Sequence, residues 1–234
     1  MKKKDLKIYA FVISFFFLST FVYAGRPLTT DDAETVEKGK FELEIGYDFI
    51  KNDKNSQELG ISLKSGLTEF MDFGISAPFV IEEDGEGINE WGNAEIGAKF
   101  SILKEKENRP GFSFTVSATP NPDDGDKRYG INLILSKNFG KLTTHLNFGR
   151  YSLKTSDENE DILNYSGAFE YSINEKFNFV GEIVGENNKQ NPLELLFGIN
   201  YATGENLTYD IGISLGLNDD TPDYRITTGI TLNW

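Results

Sequence analysis

Twelve side chains that could carry a charge or a proton sit at alternate positions within segments whose intervening residues are apolar. Glu42, Glu44, Asp48, Glu95, Glu170, Glu182, Glu194 and Asp210 are acidic, Lys64, Lys99 and Arg225 are basic, and His145 is the single histidine. If this face lined a water-filled path, its surplus of carboxylates would favour cations and disfavour anions, as charged rings do in channels. The plainer reading is an interior closed by its own cross-strand hydrogen bonds and ion pairs. Hydrolysis would need a serine and a histidine in hydrogen-bond reach with a group to orient them. The residue two along from His145 is Asn147, so His145 reads as a polar wall residue and no catalysis is expected. Asp123-Asp124-Gly125-Asp126 has the flavour of a calcium loop but lacks the alternating ligands and final glutamate of an EF-hand. With no cysteine in the chain there is no thiolate metal site, disulfide or lipid-attachment thiol. No cofactor and no metal are expected.

The elements that carry these residues read as strands. From Lys40 onward apolar and polar residues alternate, broken at intervals by Gly, Asn, Asp, Glu and Pro, and no stretch has helical period. The alternation predicts twelve strands, near 41–49, 59–67, 73–81, 94–102, 112–118, 129–135, 142–148, 163–173, 177–183, 193–201, 207–217 and 224–234. Their apolar faces, such as Phe41-Leu43-Ile45-Tyr47-Phe49, contain no charged residue, while all eleven acidic and basic residues named above fall on the opposite faces. A lipid-facing surface excludes charge in this way, because Arg or Lys at mid-depth costs about 2–4 kcal/mol. The expected fold is all-β, a transmembrane antiparallel up-and-down barrel over residues 40–234. An even strand number brings both ends of the chain to one side, and closure leaves no unpaired edge in lipid.

Three further features favour a membrane barrel over a soluble sandwich. Acid-rich connections such as Glu82-Glu83-Asp84-Gly85-Glu86 and Asp157-Glu158-Asn159-Glu160-Asp161 follow odd strands, and mostly shorter turns follow even ones. Aromatic residues gather at both ends of the apolar band, Phe73, Phe100 and Tyr201 at the turn end, Phe79, Trp91 and Tyr224 at the loop end. The chain also stops on an aromatic, in a pattern of Gly229, Leu232 and Trp234 that looks like the signal read by the barrel assembly machinery. At the other end Lys2-Lys3-Lys4, the apolar run Ile8 to Val22 and Val22-Tyr23-Ala24 before Gly25 form a cleavable export signal, residues 1–24. Residues 25–39 precede the first strand and could fold into the barrel as a plug or hang in the periplasm. The chain's formal charge is −14 and removal of the leader makes it more acidic still, which excludes nucleic acid as a partner. Outer-membrane lipid and lipopolysaccharide are the expected surroundings, with divalent cations a candidate bridge between acidic loops and lipopolysaccharide.

Arg26-Pro27-Leu28-Thr29-Thr30-Asp31-Asp32-Ala33-Glu34, followed by Lys38-Gly39-Lys40-Phe41, resembles the opening of an outer-membrane family named for the meta-cleavage pathway of phenol degradation. Gly66-Leu67-Thr68-Glu69-Phe70-Met71-Asp72-Phe73-Gly74 and Gly92-Asn93-Ala94-Glu95-Ile96-Gly97 echo it further. The resemblance implies a porin-like transporter in a Gram-negative envelope, a passive channel for small molecules, aromatic or apolar ones among them, with the substrate unspecified. The alternative is a structural or surface-interaction barrel with a closed lumen and acidic external loops.

Overall fold

In the computed structural model, residues 25–120, 127–154, 159–188 and 191–234 are described. The export signal, the Asp123-to-Asp126 loop and part of the Asp157-to-Asp161 loop lie outside them. The strands are β1 (Phe41–Lys51), β2 (Ser56–Thr68), β3 (Met71–Glu83), β4 (Glu86–Trp91), β5 (Glu95–Leu103), β6 (Gly111–Pro120), β7 (Lys127–Asn138), β8 (Leu142–Lys154), β9 (Asn159–Ser172), β10 (Phe177–Asn187), β11 (Leu193–Ala202), β12 (Leu207–Gly216) and β13 (Tyr224–Asn233). Each pairs antiparallel with its neighbours, β1 with β13, and the β2–β3 pairing completes the ring. The result is a closed twelve-stranded antiparallel barrel with one extra strand.

The extra strand has a local cause. β3 pairs with β4 along residues 79–83 and with β5 along residues 71–76, so β4 and β5 are two pieces of one traverse. The break falls opposite Pro78, which has no N–H to give to the ladder. Only its carbonyl is used there, accepting from Gly92 N–H at 2.9 Å. Several strands are also longer than the apolar alternation suggests, β8 reaching Lys154 and β9 beginning at Asn159. Pairing continues past the apolar band at the loop end, where both faces are polar and alternation gives no signal.

The outer face is apolar. Leu146, Phe148 and Ile211 are each more than half exposed, and Leu63, Phe73, Ile131, Phe197 and Ile226 are exposed too. So large a continuous apolar surface is not stable in water, whereas in lipid it is the side that needs no hydrogen-bond partner. Closure at the chain ends is doubled. Phe41 N–H donates to the Trp234 carbonyl at 2.9 Å and Trp234 N–H to that of Phe41 at 3.1 Å. Their rings stack at 5.6 Å on the outer face of the turn end.

Candidate functional site

The strand period of two turns the charged and small residues inward, and residues 25–39 run against them. Beginning beside β1, this segment makes one full turn around the inner wall and meets every barrel strand before entering β1 itself. A barrel of twelve strands spaced about 4.8 Å apart and tilted about 40° has a wall radius of roughly 12 Å. A chain held about 5 Å inside that wall needs roughly 45 Å for one turn, which fifteen extended residues supply.

The contacts follow in order. Arg26 enters a slot left by the cross-strand pair Gly46 and Gly229, where a Cβ at either position would overlap its guanidinium. Arg26 Nη2 donates to Thr227 Oγ1 at 2.5 Å and to the Thr228 carbonyl at 3.2 Å, and Nε lies 3.6 Å from Asp210 Oδ2. Leu28 packs with Ala168, Val180 and Leu196, an apolar patch on the inner faces of β9, β10 and β11. Glu182 then accepts four hydrogen bonds. Thr29 N–H and Thr30 N–H donate to it at 2.9 and 2.8 Å, and their hydroxyls at 3.1 and 2.7 Å. Asn147 treats Asp31 as a strand would, accepting its N–H at 2.9 Å and donating to its carbonyl at 2.8 Å.

On the far wall Lys99 spends three donors on the segment, to Asp31 Oδ1 at 2.7 Å, the Asp32 carbonyl at 3.0 Å and the Glu34 carbonyl at 3.1 Å. Ala33 N–H donates to Ser136 Oγ at 2.8 Å, and the Ala33 carbonyl accepts from Ser113 Oγ. Val36 N–H donates to Asp72 Oδ2 at 2.9 Å. The segment backbone then crosses β2 at Gly66, where a Cβ would collide with the carbonyls of Val36 and Glu37. Gly39 N–H reaches the Gly66 carbonyl at 2.8 Å. Within this stretch burial, helped by the carboxylates of Asp32 and Glu105, pushes Glu34 up to about 7 against the pull of Lys99.

Most of the remaining charged wall residues pair along the wall. Lys64 Nζ is 2.9 Å from Glu42 and 3.8 Å from Glu44. Glu194 accepts from Ser214 at 2.7 Å and lies 3.5 Å from Arg225. Glu95 accepts weakly from Thr119 at 3.5 Å. Asp48 has one carboxylate oxygen shut off from solvent and without a hydrogen-bond partner. These pairs join neighbouring or next-but-one strands. Contacts between distant sectors of the barrel run through the segment.

His145 has a partner that the along-strand view misses. Ser136 is its cross-strand partner on β7, and Ser136 Oγ lies 2.8 Å from His145 Nδ1 while Glu170 Oε1 lies 3.2 Å from Nε2. A serine, a histidine and a carboxylate are thus in series, an arrangement that strand pairing creates and linear spacing hides. The serine oxygen is buried and already accepts Ala33 N–H, so the series ends on the segment. Ser113, Ser136, Asn147, Asp72 and Thr227 also hold the segment and are absent from the sequence-based set. The signal that could have found them is their inward parity beside charged neighbours.

Between the segment and β1, β2, β3, β5, β6, β7 and β8 lies a cavity of about 300 Å³, lined by Glu44, Ser62, Lys64, Asp72, Ser76, Glu95, Lys99, Thr115, Ser117, Asn132 and Tyr151. That is room for several waters.

The fold has solved counterparts. The COG4313 outer membrane channel from Pseudomonas putida F1 superposes with a TM-score of 0.72 at 11% identity, over 88% of this chain and 100% of that one. The KdgM porin in complex with disordered oligogalacturonate gives 0.64 at 8% identity, over 82% and 98%. The NanC porin gives 0.62 at 13%, also over 82% and 98%. Identities this low speak for the fold alone. No curated protein sequence matches. A family described as "Putative MetA-pathway of phenol degradation" matches residues 24–234.

Proposed function

The chain belongs to that family, and from this premise we propose that it is a passive channel of the outer membrane for small molecules, narrowed by its own N-terminal segment. The observation that carries the reading is the polar cavity between the segment and the wall. A barrel meant to be sealed by side chains would fill that space. Here the segment follows the wall for a full turn and leaves room for several waters beside Lys64, Glu95 and Lys99.

The lining favours small solutes that can hydrogen-bond, among them single-ring compounds with a polar group. Among the described residues carboxylates outnumber cations on the inner wall, which favours positive over negative ions of similar size. No catalysis is part of this reading, since the oxygen of Ser136 is engaged by Ala33. The proposed partners are the lipid and lipopolysaccharide around the barrel and, during assembly, the machinery that reads the final strand.

A second reading has a specific observation behind it, the anchoring of the segment to all twelve barrel strands, which suits a barrel held shut. Solute-induced swelling and single-channel conductance of the mature protein in liposomes separate the two. The channel reading expects measurable passage by the intact protein and a several-fold rise when residues 25–38 are removed. A folded barrel that stays sealed with and without these residues would overturn it.

A further inference from the structure

The segment that narrows the lumen starts inside it. Gly25 lies against the inner face of β1, and a Cβ built on it would stand 2.8 Å from Glu44 Oε1. The neighbouring Arg26 N–H points to the same oxygen at 3.4 Å. Leu28 N–H donates to the Gly25 carbonyl at 3.1 Å, a turn that fixes the direction from which Gly25 approaches β1.

Charge around this point does not balance. Glu42 and Glu44 present two carboxylates within the barrel, and among the described residues the side-chain cation within 4 Å of either is Lys64, 2.9 Å from the first and 3.8 Å from the second. The guanidinium of neighbouring Arg26 is engaged elsewhere, at Asp210 and Thr227. An uncompensated carboxylate in a low-dielectric wall is costly, and the cost falls when a second cation is supplied.

We propose that the missing cation is the chain's own new N terminus, created when the export signal is removed, and that Glu44 is its receptor. Hydrolysis of the Ala24–Gly25 bond consumes one water and leaves a carboxylate on the departing leader and an amine on Gly25, protonated at neutral pH. The amine is bonded to the Cα of the residue that already lies beside Glu44, within reach of its carboxylate. Before cleavage the same nitrogen is an uncharged amide. Glycine at position 25 suits both events, because it is small enough for the cut and leaves no side chain between the amine and the carboxylate. Removal of the leader is then a precondition for locking of the segment, and the narrowed lumen is a property of the processed chain.

The experiment uses the mature protein from Gly25 to Trp234, refolded and checked by heat-modifiable migration. Limiting treatment with an amine-acetylating reagent, read peptide by peptide by mass spectrometry, measures access to the Gly25 amine. At least tenfold protection relative to the urea-unfolded chain is expected, with most of it lost in Glu44→Gln and retained in Glu95→Gln. A Gly25 amine that reacts as fast folded as unfolded would overturn the proposal, and so would equal protection in Glu44→Gln. Should Glu44→Gln not assemble, a wild-type barrel carrying Ser-Ser ahead of Gly25 serves instead. Segment residues should then become cleavable by added protease, and unchanged protease resistance counts against the lock. Because labelling and proteolysis do not depend on conductance, a sealed barrel would leave this test intact.

Discussion

Glu182 shows how much of the narrowing rests on single side chains. Its carboxylate accepts the N–H and hydroxyl of both Thr29 and Thr30, and a hydrogen bond to a charged group contributes about 1.5–3 kcal/mol. Glu182→Ala leaves two backbone N–H groups inside the barrel without that partner, at about 1–3 kcal/mol each. Since 1.4 kcal/mol is about a factor of ten in population, a displaced segment should become ten or more times commoner, read as higher conductance and faster proteolysis of residues 25–39. Unchanged values would mean that Glu182 does not hold the segment. Gly46 offers an independent route. The three atoms nearest to a Cβ there all belong to the end of the Arg26 side chain, so Gly46→Val should evict Arg26 while the barrel still assembles. Gly229 differs, because a Cβ there also meets the Ile45 carbonyl, and Gly229→Val should impair strand pairing itself. In the proposed channel, selectivity would fall to the carboxylates that face the open cavity. Glu95 lines it and has only a weak partner, so Glu95→Gln should lower the cation-to-anion permeability ratio of a conducting barrel. An unaltered reversal potential would take Glu95 out of the path.

The strands explain why neighbouring positions respond differently. In β13, Ile226 and Ile230 face out and Thr227 and Gly229 face in, where Arg26 meets them. Trp234 continues the outer set and stacks on Phe41 at the seam where first and last strands meet. Aromatic stacking contributes about 0.5–1.5 kcal/mol beyond burial, and a charge on the lipid side adds to the loss. Trp234→Asp should therefore reduce the folded fraction, read by heat-modifiable migration, well below that of Asn233→Asp, whose side chain has the opposite parity. Equal folding of the two would refute the outward placement of Trp234. Pro78 has a comparable effect on β3, dividing the facing traverse into β4 and β5. Trp91 closes β4 at its end farther from the β3–β4 connection, opposite Phe79, against which it packs edge-on at 5.2 Å.

For the molecule as a whole, the outer apolar band and the inner polar wall require one another. A sheet with charge on one face and none on the other is stable when the first is wetted or paired and the second is in lipid. Envelope fractionation should recover the mature protein in the outer membrane, and recovery from the soluble periplasm would overturn the channel reading. The segment makes the inner wall a three-dimensional site. Residues far apart in sequence, Asp210, Glu182, Asn147, Lys99 and Asp72, are held by fifteen consecutive residues that touch them in turn.

The barrel was legible in the sequence because strand alternation is local. Period two, charge on one face only and an aromatic last residue are each visible within a few positions, and together they predict closure, strand parity and the facing of Glu42, Lys99 and Asp210. Strand ends were less legible where the apolar signal stops before the hydrogen bonds do, as in β8 and β9, and the β4–β5 break depends on a proline in the strand opposite. The path of residues 25–39 was decided by tertiary structure. Arg26-Pro27-Leu28-Thr29-Thr30 has no periodicity and no core of its own, and it takes its shape from partners on six strands. The Ser136–His145–Glu170 series is likewise absent from linear spacing, because antiparallel register, not sequence distance, places a residue nine positions back beside the histidine. Local pattern determined the wall, and the closing of the wall into a ring determined what the N-terminal segment could bind.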